Sequence, residues 1–144
     1  MSSQELDRKD IDELLSKIML GHLGTLDSES KPYIVPLAYS YVDGAIYLLV
    51  RDGGKKIENI RRNPYVCFEV TYQNPPKAIV RSEPRPDSFA SVIALGKAEK
   101  VVDDAEILKV YSEQVLKRIQ KRGSAIYKIK PEEITGKKWV GFKE

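Results

Sequence analysis

The chain has 144 residues, 42% of them hydrophobic, which is enough for one buried core and too few for two, so residues 1–144 read as a single domain. Twenty-four Lys and Arg against 21 Asp and Glu leave a net charge of +3, a balance that favours small anionic ligands and sets a nucleic-acid partner aside. The lone Cys67 excludes an intrachain disulfide framework, no apolar run approaches the ~20 residues that span a bilayer, and no signal-type segment opens the sequence, so a soluble cytoplasmic protein without a membrane partner is expected.

Ile11, Leu14, Leu15 and Ile18 recur at helical spacing behind Asp7 and Asp10, two candidate caps, and predict an amphipathic helix. The period then changes to that of strands. Residues 22–26 read as a strand, 27–31 as a polar turn and 32–41, rich in β-branched and aromatic residues, as a second strand; Asp43-Gly44 signals a hairpin and 45–50 the returning strand. After Gly53-Gly54-Lys55-Lys56, Ile57 and Ile60 anchor a short helix over 57–63, which Asn63-Pro64 ends because the residue before proline is driven out of the helical region. Residues 65–72 form the next strand, and the proline-rich stretch 73–88 reads as a long surface loop with one short strand at 78–80. Residues 89–102 return to strand pattern with a bend or bulge at Gly96. Asp103-Asp104 caps a helix whose buried stripe is Leu108, Tyr111, Val115 and Ile119, and Gly123 ends it. Residues 125–134 make the last strand, followed by a tail over 135–144 with the only Trp, Trp139. About six short strands joined by hairpins and interrupted by helices predict an α+β, mainly β molecule, a small antiparallel barrel with peripheral helices.

The residues that carry chemistry cluster at one turn. Gly53 and Gly54 leave backbone N–H groups uncovered, Lys55 and Lys56 add two ammonium groups, and a helix begins there with its positive end. On its own Gly-Gly-Lys-Lys is a solvated turn, and it lacks the spacing of a nucleoside-triphosphate loop; its position between a strand end and a helix start makes it a candidate anion site. His22 and Cys67 stand too far apart for metal-ligand spacing, so no metal site is expected: His22 reads as a half-exposed strand residue and Cys67 as core. Lys117, Arg118, Lys121 and Arg122 form the solvated side of an amphipathic helix.

Pro32-Tyr-Ile-Val-Pro-Leu37, Gly54-Lys-Lys56, Asn59-Ile-Arg-Arg-Asn-Pro-Tyr-Val-Cys-Phe-Glu-Val70, Ser91-Val-Ile-Ala-Leu-Gly96 and Ile134-Thr-Gly-Lys137 occur in an order that resembles the pyridoxamine 5′-phosphate oxidase-like flavin-binding superfamily, and within it the nitroimidazole-resistance (Nim-type) branch. The resemblance implies a six-stranded antiparallel split β-barrel, homodimeric, with FMN at the subunit interface. By the same resemblance Ile34, Val35, Pro36 and Leu37 would line the isoalloxazine, backbone groups of Val35 and Leu37 would meet its polar edge, and Leu49 and Val50 would lie near the ribityl chain and phosphate. Lys55 and Lys56 match the basic pair that grips the phosphate, and Ser91 a polar position that reaches the flavin from the partner subunit. Trp139 has two readings, a cover over the flavin across the dimer or a staple holding the tail to the barrel.

Two departures shape the expected activity. The His that Nim-type proteins often carry before the basic turn is replaced by Leu48, Leu49 and Val50, and the oxidase's C-terminal Arg-x-His pattern has no counterpart in 137–144, so oxidation of pyridoxamine 5′-phosphate is not the expected reaction. The reading is an FMN-dependent oxidoreductase that reduces a small organic acceptor, nitroaromatics being one candidate class, with no catalytic side chain assigned. Two rivals stand beside it: the same barrel holding haem or the deazaflavin F420, with His22 as the available imidazole, and a nucleic-acid-binding β-barrel using its basic turn, basic helix face and tyrosines.

Overall fold

The computed structural model describes residues 2–73 and 89–140. The proline-rich stretch and the short strand expected at 78–80 lie outside the described residues, as does the end of the tail. Twelve elements follow in chain order: β1 (Ser2–Glu5), α1 (Arg8–Lys17), β2 (Leu20–Leu26), β3 (Pro32–Ala38), β4 (Ser40–Val42), β5 (Ala45–Arg51), α2 (Lys55–Arg62), β6 (Tyr65–Gln73), β7 (Phe89–Lys100), α3 (Asp104–Val110), α4 (Glu113–Arg122) and β8 (Ser124–Val140).

All strand pairs are antiparallel, in the order β3-β2-β6-β7-β8-β5-β4, with β1 added on β8. Strands β3 and β4 stand at opposite ends of that order yet are joined through Tyr39 alone. A sheet whose two ends are tied by one residue has to curl until its edges approach, which leaves a split between β3 and β5 and makes the molecule a split barrel. Tyr39 fixes this crossing: its N–H donates to Met19 O (3.1 Å), its buried hydroxyl donates to Leu15 O (2.7 Å), and its ring meets Phe68 edge to face at 5.1 Å.

The core follows from alternation. Val66, Phe68 and Val70 of β6, Ala90, Val92, Ala94 and Ala98 of β7, and Ile46, Leu48 and Val50 of β5 point inward, where Leu14 and Leu15 of α1 and Ile57 and Ile60 of α2 join them. Each fully buried Val, Leu, Ile or Phe side chain here contributes about 1.5–3 kcal/mol. The odd-numbered positions of β5 face the other way, so Ala45 and Tyr47 build a second cluster with Ile107 and Ile126 beneath α3 and α4.

Several expected elements differ from the observed ones, each through a contact distant in sequence. Among the described residues eight strands replace the expected six because residues 32–41 break at buried Tyr39 and Ser2–Glu5 pairs with 137–140. That pairing also turns the expected tail into the end of β8. The helix expected to run to Gly123 is two helices, since Ser112 Oγ accepts from Val115 N–H and starts a new one; Leu108 is 43% exposed and Ile107 takes the buried position. Of the candidate caps on α1, Asp7 serves, accepting from Asp10 N–H. Gly96 does mark a bulge, where a Cβ would stand 2.6 Å from Lys130 O, and Gly123 does end α4, in the left-handed region at φ 66°.

Candidate anion site at the β5–α2 turn

Strand β5 delivers the turn from inside the core. Gly53 N–H donates back to Arg51 O (2.9 Å), and Gly54 at φ 83° reverses the chain into α2, whose first helical bond runs from Glu58 N–H to Gly54 O (3.0 Å). No side chain caps α2. The N–H groups of its first residues, Lys55, Lys56 and Ile57, therefore have no acceptor within the helix, and the helix dipole adds partial positive charge where they point. Among the described residues, chain neighbours aside, no atom lies within 4 Å of the space a Cβ would fill at Gly53 or Gly54, so an anion can approach the backbone closely. The exposed Lys55 places its ammonium 4.7 Å from the Tyr33 ring centroid, at the start of β3, and helps hold the Asp27 carboxyl below its ordinary range, though the N–H of Lys31 contributes most there.

Helix α2 is held rigidly behind the turn. Ile57 and Ile60 enter the core, and buried Asn59 donates from Nδ2 to Thr25 Oγ1 (3.0 Å), whose hydroxyl in turn donates to Tyr33 O (3.4 Å). The helix, β2 and the start of β3 thus form one hydrogen-bonded unit. Asp52, directly before the glycines, accepts from Lys100 Nζ (2.7 Å), Tyr127 Oη (2.9 Å) and Arg61 Nη2 (3.1 Å). The Lys100 ammonium, ahead of the other partners, holds the Asp52 carboxyl below its ordinary range. A carboxylate with a depressed folded pKa stabilises the fold above its unfolded pKa of about 3.9 and loses that contribution as the pH falls through the folded value. The difference in melting temperature between about pH 7 and pH 3 is accordingly expected to be smaller in Asp52→Asn than in the wild-type chain, as thermal unfolding by circular dichroism would record.

The residues singled out from the sequence divide into three groups. Lys55 meets the start of β3 through Tyr33, Lys56 follows it in the first turn of α2, and β3 is an edge strand paired only with β2 among the described residues, which leaves backbone groups along it unpaired. Within β3, Val35 and Leu37 pack toward the core while Ile34 and Pro36 face out, Ile34 being 66% exposed. Val50 is buried on the core side of β5, whereas Leu49 points into the cluster under α3 and α4. Ser91 and Trp139 lie elsewhere: Ser91 is opposite Thr71 and Lys137 on the outer face, and Trp139 stacks on Phe89 at 4.6 Å. From Lys100, which touches Asp52 at the turn, to Ser91 runs roughly 30 Å of strand at ~3.3 Å per residue.

The outer face of the sheet is apolar, with a cleft of about 610 Å³ between Ile34, Gly24, Cys67, Tyr65, Leu95 and Glu133. Cys67 is half-buried, and burial, ahead of the Glu69 charge, pushes its thiol pKa up. Across this face runs a polar line: Glu69 meets the His22 ring through Nδ1 (3.2 Å) and accepts from Thr71 Oγ1. Among the described residues no group of three His, Cys, Asp or Glu side chains could hold a metal ion, and no helix is long and apolar enough to cross a membrane. The Asp52 and Asn59 contacts escape the sequence reading. The Asp amid cations at a strand end is visible there, but its partners Lys100 and Tyr127 come from distant strands.

Fold and turn together define a split β-barrel with an open, cationic strand-to-helix turn at its edge. The chain belongs to the pyridoxamine 5′-phosphate oxidase family, whose model matches residues 7–138. Solved structures with the same fold include a FAD-binding protein from Mesorhizobium loti (23% identity over 98% of this chain and 99% of that one, TM-score 0.75). They also include a candidate 5-nitroimidazole antibiotic resistance protein from Bacteroides thetaiotaomicron (21% over 95% and 87%, TM-score 0.72). A FAD- and haem-binding protein from Mycobacterium smegmatis covers this whole chain and 76% of its own (14%, TM-score 0.72). None of the curated proteins matches the sequence significantly.

Proposed function

We propose that the protein binds a flavin, FMN in the first instance, with its phosphate on the Gly53–Lys56 turn and its ring along β3. The observation that carries this is the uncapped start of α2: unpaired N–H groups, open space at both glycines and the Lys55 and Lys56 ammonium groups fit a phosphate dianion. Val35 and Leu37 would hold the ring through the edge of β3. Bound there, a flavin supplies electron or hydride transfer, and the chain supplies position, charge and exclusion of water. The expected reaction is reduction of a small organic acceptor, nitroaromatics being one class to test.

Strand β7 runs from Lys100 at the turn to Ser91 near its other end, which suits a Ser91 that reaches the flavin from a second copy. The exposed apolar outer face, with Ile34, Ile93 and Leu95, supports a homodimer that covers it. A second reading rests on His22: with Nδ1 engaged by Glu69 and no partner for Nε2 among the described residues, Nε2 would be the atom to bind haem iron, the usual arrangement of a ligating imidazole. The absorption spectrum of the purified protein separates the two. Flavin bands released by heat, with FMN rather than FAD by mass, are expected, and a Soret band would replace the flavin reading with the haem one.

A further inference from the structure

We infer that Asp52 is the positioning residue of the anion turn, a role that rests on the flavin-phosphate reading above and extends it to a residue that does not itself touch the ligand. Asp52 closes β5 directly before Gly53, and its side chain is only 17% exposed although it lies at the barrel rim. Three elements converge on its carboxylate: Arg61 from the last turn of α2, Lys100 from the end of β7 and Tyr127 from β8. Its own N–H donates to Gly123 O (2.8 Å), which ties it to the end of α4 as well. The two glycines that follow have no side chain to hold them, and among the described residues, chain neighbours aside, nothing lies within 4 Å of where a Cβ would stand on either. Without an anchor such a turn would sample many conformations, and ordering it on binding would cost affinity.

The carboxylate also sorts the local charge. Arg61 and Lys100 are both engaged by Asp52, whereas Lys55, which rests over the Tyr33 ring, and Lys56 form no ion pair with it and stand beside the glycines. An incoming phosphate therefore meets a fixed backbone and one cation pair instead of a diffuse cationic rim. This assignment opposes simple electrostatics in sign. Removing a negative charge near an anion site should tighten anion binding, whereas removing the anchor of the turn should weaken it.

Two variants separate these effects. Asp52→Asn removes the charge and the oxygen that accepts from Lys100, which weakens the anchor although the amide oxygen can still accept from Arg61 and Tyr127; Tyr127→Phe removes one hydrogen bond to Asp52 and leaves every charge in place. In the ligand-free chain both should accelerate amide hydrogen exchange at residues 53–57 while the core strands β6 and β7 stay protected. FMN titration should show about tenfold weaker binding for Asp52→Asn and a smaller loss for Tyr127→Phe, with a shifted, broader 31P resonance for the bound phosphate. Unchanged exchange at 53–57, or FMN bound as tightly or more tightly by Asp52→Asn, would overturn the assignment. Should Asp52→Asn not fold, Tyr127→Phe decides by the same two measurements. Should the wild-type chain itself not take up FMN, the flavin reading falls, and exchange at 53–57 alone decides whether Asp52 orders the turn.

Discussion

Lys56→Glu is expected to weaken FMN binding roughly a hundredfold, about 3 kcal/mol, because a charge-assisted hydrogen bond to the phosphate is replaced by a like charge facing it. The fold should not suffer. The side chains that dock α2 are Ile57, Ile60 and Asn59, and an acid in the first turn of a helix complements its dipole. Weaker binding in this variant can therefore be assigned to the site once its melting temperature matches the wild type. Lys55→Glu should lose less, since Lys55 is exposed and rests over the Tyr33 ring, where part of its interaction does not depend on the ligand. Both losses should shrink at high ionic strength. A fluorescence titration of FMN that coincides for wild type and Lys56→Glu would remove the phosphate from this turn.

Phe68→Ala is expected to cost about 3–5 kcal/mol of stability, the range for emptying an aromatic from a closed core. Phe68 is among the largest fully buried side chains and touches two elements that shape the barrel. Its ring supports Tyr39, which carries the chain from one sheet edge to the other, and it occupies the space that Gly21 leaves open, where a Cβ would overlap the Phe68 ring and stand 2.9 Å from Glu69 O. Gly21→Ala alone should destabilise by overpacking, by about 1–3 kcal/mol, but should cost less in the Phe68→Ala background, where the ring is gone. Urea unfolding of the four chains measures this directly: the midpoints should shift with the slopes unchanged, and strict additivity would contradict the packing described here.

Local signals made the turn and the short helix after it legible before the fold was known. Gly53-Gly54 followed by two lysines, the apolar pair Ile57 and Ile60, and Asn63-Pro64 mark a turn and a short helix by rules that act within a few residues, and α2 does end at Arg62 with Asn63 extended. Gly96 and Gly123 were readable for the same reason. Features decided by contacts across the barrel were not. Nothing near Tyr39 shows that it must bury its ring against Phe68 and break a strand, and nothing near 135–140 shows that Ser2–Glu5 will pair with it. The period of Leu108, Tyr111, Val115 and Ile119 resembles one helix, but the capping hydroxyl of Ser112 won over it. In the site, the alternation of β3 and β5 splits residues that adjacency in sequence suggested would act together, sending Leu49 away from the split and Ile34 to the outer face.

On the reading proposed above, one edge of the barrel, the Gly53–Lys56 turn with β3, holds FMN. An FMN titration of the 15N-labelled chain followed by amide chemical shifts decides this. The amides of Gly54, Lys55 and Lys56 should move together with those of Val35 and Leu37, saturating at a single binding constant. Shifts confined to other surfaces, such as the face carrying Lys97, Lys128 and Lys130, or no shifts at all, would contradict it.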